Sequence, residues 1–395
     1  MKMTTLLLAL LSAVLLPLAL PNDIYIYGNP LLGFICLAPF FAAIVMAPSF
    51  KFASLLGIVF GGLSTLLVHY WLLFYGEYSL WTVSGVVLGY MGYHALLAPI
   101  LFGLSRLYPS YRGFLVASTW ALYEYLKSSG FLAFPWGLLP HSFNTVLPLV
   151  QFIDITGLWG LSLFAALVNT FLAECILLPY HLYRRKVSFL VRNLSFLFFI
   201  GILVVSYGFY RLNKPMAEQG RLKVLMVQHN ENPWETGKVE DAILRAQNLT
   251  LSGLRKGDPD IIVWSETAIK YYIREEQFAR VMERIPRLRP LGPFIRETGK
   301  YFLIGAPFRP LGTPGYQNAA LFISPGAELL GSYGKQQLVP IAEVVPFWDI
   351  GFVRTFFKQV LGLTQGWSRG TETTLFQVPI QTGGSLTFGT PICFE

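Results

Sequence analysis

Charge is scarce in this sequence and nearly missing from its first half. Only 13% of the 395 residues are charged; 14 of these fall in positions 1–210 and 38 in positions 211–395. A soluble domain carries about 25% charged residues, so the first half is not an ordinary water-soluble fold. Cysteine is scarce too. Cys36, Cys175 and Cys393 are too few and too scattered for a disulfide framework or a metal site. His69, His94, Asp154 and Glu174 lack metal-ligand spacing as well, so neither a metal nor another cofactor is expected. Nor is there a basic stripe. The net charge of +8 divides into +4 for each half, and a nucleic-acid partner is not expected.

What the first half does contain is long apolar runs. A helix crosses a bilayer with about 20 mostly apolar residues, all its backbone polar groups being satisfied internally. Seven stretches qualify, at 4–20, 30–48, 52–75, 81–105, 113–130, 150–179 and 188–210. The first has the Lys2 and apolar run of a signal peptide, but it reaches Pro21 without a small-x-small cleavage site and is read as a retained helix. Lys2, Lys51, Arg106 with Arg112, and the group Arg184, Arg185, Lys186 and Arg192 mark every second connection. Short cytoplasmic loops carry such an excess, so the N-terminus is placed in the cytoplasm and everything after Tyr210 outside it.

Ionisable residues inside the runs are few. Glu124 and Lys127, three apart on one helix, suggest a mutual ion pair. His69, His94, Asp154 and Glu174 are expected to be bundle-interior or interfacial. The Phe134-Pro135-Trp136-Gly137 loop reads either as a partly buried lip on the outer face or as an aromatic membrane anchor. Cys36 and Cys175, in apolar runs, are expected to be small core residues.

After Lys214 and Pro215 the periodicity changes. Short apolar runs at 222–227, 261–264, 301–304 and 319–323, and one leading to Tyr333, predict strands. Residues 239–254, 275–285 and 291–298 have helical spacing. Alternating strands and helices predict an α/β layer fold.

Three strands in this half lead directly to a reactive side chain. Ile261-Ile262-Val263-Trp264-Ser265 leads to Glu266, Tyr333-Gly334 to Lys335, and the run 386–392 to Cys393. Strand ends are where side chains converge on ligands in α/β sheets. A thiol, a carboxylate and an ammonium suffice for acyl transfer: nucleophile, base and oxyanion partner. Taken singly, a Glu after a strand is a solvated cap, a Lys in a turn a surface residue, and a Cys inert. Their joint occurrence in ordered local patterns is what carries weight.

Trp264-Ser265-Glu266-Thr267-Ala268, Tyr333-Gly334-Lys335-Gln336-Gln337-Leu338-Val339-Pro340 with Glu343 and Pro346, and Ile392-Cys393-Phe394-Glu395 resemble the three signatures of the nitrilase (carbon-nitrogen hydrolase) superfamily. Joined to a multi-helix membrane domain with Phe134-Pro135-Trp136 and Gly157-Leu158-Trp159-Gly160, they resemble the apolipoprotein N-acyltransferase family over essentially the whole chain.

The resemblance implies a transmembrane helical domain with seven spans over 1–212 and an extracytoplasmic nitrilase-like αββα domain over 220–395. It makes Glu266, Lys335 and Cys393 the catalytic triad, with Glu343, Trp234 and Glu395 supporting them. Gln228 and Asn318 match recurrent polar positions without an assigned role. Phe347 to Arg369, with Gly362 and Gly366 as hinges, resembles the family's mobile substrate loop; an amphipathic helix on the membrane surface is the alternative. Phe394 stands where the family usually has Tyr.

The implied reaction moves an acyl chain from a phospholipid, expected to be phosphatidylethanolamine, through a Cys393 thioester to the α-amino group of a diacylglyceryl-cysteine lipoprotein. The implied setting is the bacterial cytoplasmic (inner) membrane, and the protein is expected to be a monomer. The family pattern continues past the third signature, so a C-terminally truncated chain, an incomplete nitrilase-like domain and inactivity of this segment alone are expected. A membrane-tethered amidase using the same triad with water is a second reading. A transporter or receptor with an outer sensory domain is a third, disfavoured because the spans show no internal repeat or chain of charges.

Overall fold

The computed structural model describes residues 2–74, 79–130, 133–180, 187–215, 218, 220–230, 239–340, 343–345, 347–361, 366–380, 383–393 and 395. The chain forms two compact units, Met1–Pro215 and Met216–Glu395.

The first unit is helical. Among the described residues, five helices are long and apolar enough to cross a membrane: Lys2–Ala19, Phe50–Val68, Ser79–Leu107, Ile153–Leu177 and Leu190–Asn213. The other two expected runs take different forms. Helix Arg112–Lys127 has 16 residues, about 24 Å at 1.5 Å per residue, which is short of a hydrocarbon core of about 30 Å. The run at 30–48 is broken into Pro30–Gly33 and Ala38–Met46.

A buried side chain satisfies that break. Asn169 is fully buried; its Oδ1 accepts from the backbone N–H groups of Leu37 (2.8 Å) and Ala38 (3.0 Å), and its Nδ2 donates to the carbonyls of Gly33 (3.0 Å) and Ala165 (2.9 Å). Backbone polar groups freed inside a bilayer need such partners. Close helix packing relies on small residues, as membrane helices commonly do: a Cβ at Gly57 would lie 2.1 Å from the His94 carbonyl oxygen.

The expected ion pair between Glu124 and Lys127 is not made. Glu124 is buried and accepts from the Leu139 N–H (2.8 Å) and the Ser162 hydroxyl. Lys127 donates to the Trp136 carbonyl (3.0 Å), with its ammonium 5.3 and 5.7 Å from the Tyr90 and Tyr123 ring centres. The loop after the helix folds back and supplies partners that neighbouring spacing on one helix cannot reveal. Glu174 is buried and pairs with Arg112, whereas Asp154 is partly exposed and meets Arg211 and Tyr207, both at 2.7 Å. His69 and His94 are buried; Cys36 is fully so, and Cys175 only partly.

The second unit is built on a six-stranded sheet with spatial order β1-β2-β4-β5-β6. Its strands are β1 (Val224–Val227), β2 (Ile261–Trp264), β3 (Ile273–Arg274), β4 (Tyr301–Arg309), β5 (Gln317–Ile323) and β6 (Leu329–Gly334), with β3 pairing β4 off the main path. β1, β2 and β4 run parallel, and β5 and β6 continue antiparallel. Strands β7 (Phe376–Pro379) and β8 (Ser385–Phe388) form a separate antiparallel pair.

Side chains alternate across each strand, and the two faces of the sheet have separate cores. Ala319, Leu321 and Ile323 pack with Ile243 of helix Val239–Leu254 and Phe294 of helix Leu291–Thr298. Ala320 and Phe322 pack on the other face with Phe376, Val378 and Ile392. The helices at 239–254 and 291–298 have the expected bounds. The helix expected over 275–285 ends at Met282, consistent with Pro286, which disfavours helical backbone at the residue before it. The strand expected over 386–392 stops at Phe388, before Gly389 and Pro391, the latter lacking a ladder N–H.

Candidate active site

The sheet's change from parallel to antiparallel brings three strand ends to one rim. The C-terminal end of β2, the start of β5 and the end of β6 are neighbours through β4, with Pro307 opposite Asn318 and Ala319 opposite Gly334. Glu266, Asn318 and Lys335 stand at these ends.

Glu266 lies in the turn leaving β2, followed by Thr267 in the left-handed region (φ +52°). This turn presses on β4. A Cβ at Gly305 would lie 2.6 Å from both Ser265 O and Thr267 N, and 2.7 Å from Glu266 Cα, so only glycine admits the contact.

Lys335 directly follows β6, and its backbone N–H donates to the Asn318 carbonyl at 2.8 Å. The side chain is 1% exposed. Its Nζ lies 3.0 Å from Oε1 and 2.9 Å from Oε2 of Glu343, and 3.8 Å from Oε1 of Glu266. Burial disfavours the charged ammonium, but hydrogen bonding and attraction to Glu343, with contributions from Cys393 and Glu266, more than offset it and raise its pKa above the ordinary lysine value. Lys335 is therefore a protonated cation at neutral pH. Glu343 is further fixed by the Val339 N–H, which donates to Oε2 at 2.8 Å.

Asn318 ties the carboxylates together. Its Nδ2 donates to Oε1 of Glu266 (2.7 Å) and to Oε1 of Glu343 (3.1 Å).

Cys393 is exposed and itself adopts φ +62°. Glu395, two residues on, accepts four hydrogen bonds: from the Tyr333 hydroxyl (2.9 Å) and the N–H groups of Gln336 (2.6 Å), Gln337 (2.9 Å) and Ile392 (2.8 Å). Glu395 thus fastens the cysteine segment to the turn that carries Lys335. Burial, then the hydrogen bond and charge of Glu395, push the Tyr333 phenol up to about 12.

The remaining expected residues divide. Trp234, Gly362 and Phe394 lie outside the described residues. Gln228 is exposed just after β1. Phe347 is exposed with φ +58°. The stretch resembling a mobile loop contains a helix, Gly351–Leu361, with Phe352 and Phe356 exposed and Lys358 Nζ 5.6 Å from the Trp348 ring centre. Next to Gly366, the Trp367 N–H donates to the Glu343 carbonyl at 2.8 Å, and Gly370 N–H donates to the Lys335 carbonyl at 2.9 Å. Among the described residues no group of His, Cys, Asp and Glu is arranged to hold a metal.

Asn318 and Gly305 carry more of this geometry than sequence reasoning assigned them. Their signals were an amide at the head of the otherwise apolar run 318–323 and a glycine within an apolar strand, both of which point to close partners.

Residues 12–171 match the profile of the apolipoprotein N-acyltransferase N-terminal domain. Over 97% of its length the chain is 32% identical to apolipoprotein N-acyltransferase 2 of Treponema pallidum, covering 73% of that protein. Over 98% it is 32% identical to apolipoprotein N-acyltransferase 2 of Treponema denticola, covering 74%. The apolipoprotein N-acyltransferase of Borreliella burgdorferi is 28% identical over 93% of the chain, with 70% of that protein covered. An amidase from Nesterenkonia sp. shows a slight structural likeness, with a TM-score of 0.26 and 16% identity over 44% of this chain and 57% of that one. With a helical unit that matches the family's N-terminal domain and relatives of this name along nearly its whole length, the chain belongs to the apolipoprotein N-acyltransferase family.

Proposed function

We propose that this membrane protein transfers an acyl chain from a phospholipid, through a thioester on Cys393, to the N-terminal α-amino group of a diacylglyceryl-cysteine lipoprotein. The observation that carries the reading is the single rim where Glu266 and Glu343 flank the buried Lys335 ammonium, at 3.8 and 2.9 Å, in a chain of this family. Glu266 takes the thiol proton, and the Cys393 thiolate attacks the acyl ester carbonyl. Lys335 offsets the negative charge that develops on the tetrahedral oxygen, the largest contribution in many acyl transfers. Glu266 returns that proton to the departing lysophospholipid oxygen; the lipoprotein amine then attacks the thioester and gives up a proton to Glu266, and the C–S bond breaks as the amide forms, the Cys393 thiolate leaving and taking the proton back. Glu343 holds the ammonium in place, and Glu395 holds the cysteine segment.

Phosphatidylethanolamine is the proposed donor, by family resemblance, and the protein acts as a monomer. The setting is the bacterial cytoplasmic membrane, with a cytoplasmic N-terminus and the catalytic unit on the periplasmic side. The alternation of Lys- and Arg-bearing connections supports this orientation. A membrane-bound enzyme suits the reaction physically, because donor and acceptor are both lipids that do not leave the bilayer.

Cys393→Ala in the full-length protein is expected to abolish the acyl-enzyme adduct formed with labelled phospholipid. A normal thioester adduct in that variant would refute the proposal.

A further inference from the structure

We infer that Asn318 is a positioning residue that selects which oxygen of Glu266 acts as the base. The inference rests on the proposed roles of Glu266, Lys335 and Cys393.

Asn318 is 4% exposed and stands second in β5, on the sheet face shared by Ala320 and Phe322. Asparagine is depleted in strands, and a buried amide is costly unless its polar atoms are paired. Here the amide nitrogen lies between two carboxylates, 2.7 Å from Glu266 Oε1 and 3.1 Å from Glu343 Oε1. A primary amide has two N–H donors, and both are committed. The partners also settle its orientation, because the flipped amide would point its own oxygen at two acceptors.

The charges explain why a neutral donor is needed at this point. Two carboxylates share one ammonium, and Lys335 is much closer to Glu343 than to Glu266, at 2.9 against 3.8 Å. The Asn318 amide supplies Glu266 with the short contact that Lys335 does not. It bridges the two acids without adding charge.

The consequence for Glu266 is a division of labour between its oxygens. Oε1 accepts from Asn318 and faces Lys335. Oε2 makes no hydrogen bond among the described residues, and in the proposed reaction it is the oxygen left to take the thiol proton. In the acylation step the Cys393 S–H bond breaks, its electron pair stays on sulfur, and the proton forms an O–H bond on Glu266 Oε2. As the tetrahedral intermediate collapses, that proton passes to the departing lysophospholipid oxygen, and Glu266 is again ionised. Loss of Asn318 removes the donor that holds Oε1 and leaves the Glu266 carboxylate free to rotate.

The test uses the full-length protein in detergent micelles with phosphatidylethanolamine, measuring the rate and the lipid KM of single-turnover acyl-enzyme formation together with thermal unfolding. Asn318→Ala should slow acylation at neutral pH by about 10–100-fold, the rate equivalent of one charge-assisted hydrogen bond, with the lipid KM unchanged. Asn318→Asp, of the same shape, keeps the measurement available if the alanine variant unfolds; it replaces the donor by a third carboxylate and should slow acylation at least as much, again without moving the KM. A folded Asn318→Asp protein that acylates at the parent's rate overturns the inference, as does a loss carried wholly by the KM. Glu266→Gln tests the underlying reading separately: persistent acylation there overturns the base assignment, whereas its loss with an unslowed Asn318→Asp protein overturns only the positioning role.

Discussion

Replacing Glu343 with alanine should do more than remove a polar contact. The ammonium of Lys335 is 1% exposed and the Glu343 side chain 12%, with Nζ 2.9 Å from Oε2. Breaking such a pair leaves an uncompensated buried charge, and the cost is about 3–5 kcal/mol. The nearest remaining carboxylate, Glu266, is 3.8 Å away and 41% exposed, so it compensates weakly. The Val339 N–H would lose its acceptor as well. The pH dependence has a definite sign. With its folded pKa raised, Lys335 contributes stability that is fully present below the ordinary lysine pKa and is lost only as pH rises through the higher folded value. In Glu343→Ala the attraction disappears while burial remains, so the alkaline limit of stability should move to lower pH. Thermal unfolding and hydrogen exchange at the Val339 amide, followed from pH 6 to 11, measure both effects. Glu343→Leu combined with Lys335→Met should recover much of the lost stability, since an apolar pair can replace a buried ion pair with little loss, but no activity. Wild-type stability in Glu343→Ala, or a double variant no more stable than that single one, would refute the argument.

Two further outcomes follow from close packing. Gly305→Ala forces a methyl against the backbone of Ser265, Glu266 and Thr267 at 2.6–2.7 Å; acyl-enzyme formation should fall about 100-fold, as a displacement near 1 Å can produce, while unfolding shows a folded unit. Asn169→Leu removes the acceptor for the Leu37 and Ala38 N–H groups and should cost about 2–6 kcal/mol at 1–3 for each orphaned donor, read as a lower aggregation temperature in detergent.

Much of this architecture was legible because it rests on periodicity and composition. The amphipathic helices at 239–254 and 291–298, and the strand Ile261–Trp264, follow from apolar spacing alone. Glu266, Lys335 and Cys393 stood out as residues after apolar runs within ordered motifs, and the structure brings Glu266 and Lys335 to one rim. What escaped depends on contacts distant in sequence. The break between Gly33 and Ala38 is satisfied by Asn169, which no local window could supply. Glu124 and Lys127 have the spacing of a pair, yet a returning loop takes up both. Asn318 was visible as a polar position, but its link between two acids appears only once β5 lies at the same rim as β2 and β6. The helix Gly351–Leu361 was one of two readings of an aromatic stretch, and local pattern alone did not choose between them.

The change of strand direction at β4 also bears on how the enzyme comes into being. Asn318 and Lys335 meet within the β5–β6 hairpin, but Glu266 reaches them only once β4 has paired with both β2 and β5, distant in sequence. Such pairings form late and slowly. During synthesis the carboxylate leaves the ribosome first and the thiol last. In the proposed reaction Cys393 depends on a base and a cation carried by segments that the unfolded chain holds far apart. If the proposed reaction holds, a nascent or misfolded chain lacks the assembled base and cation, and acyl transfer from the lipids around it waits for the sheet to close.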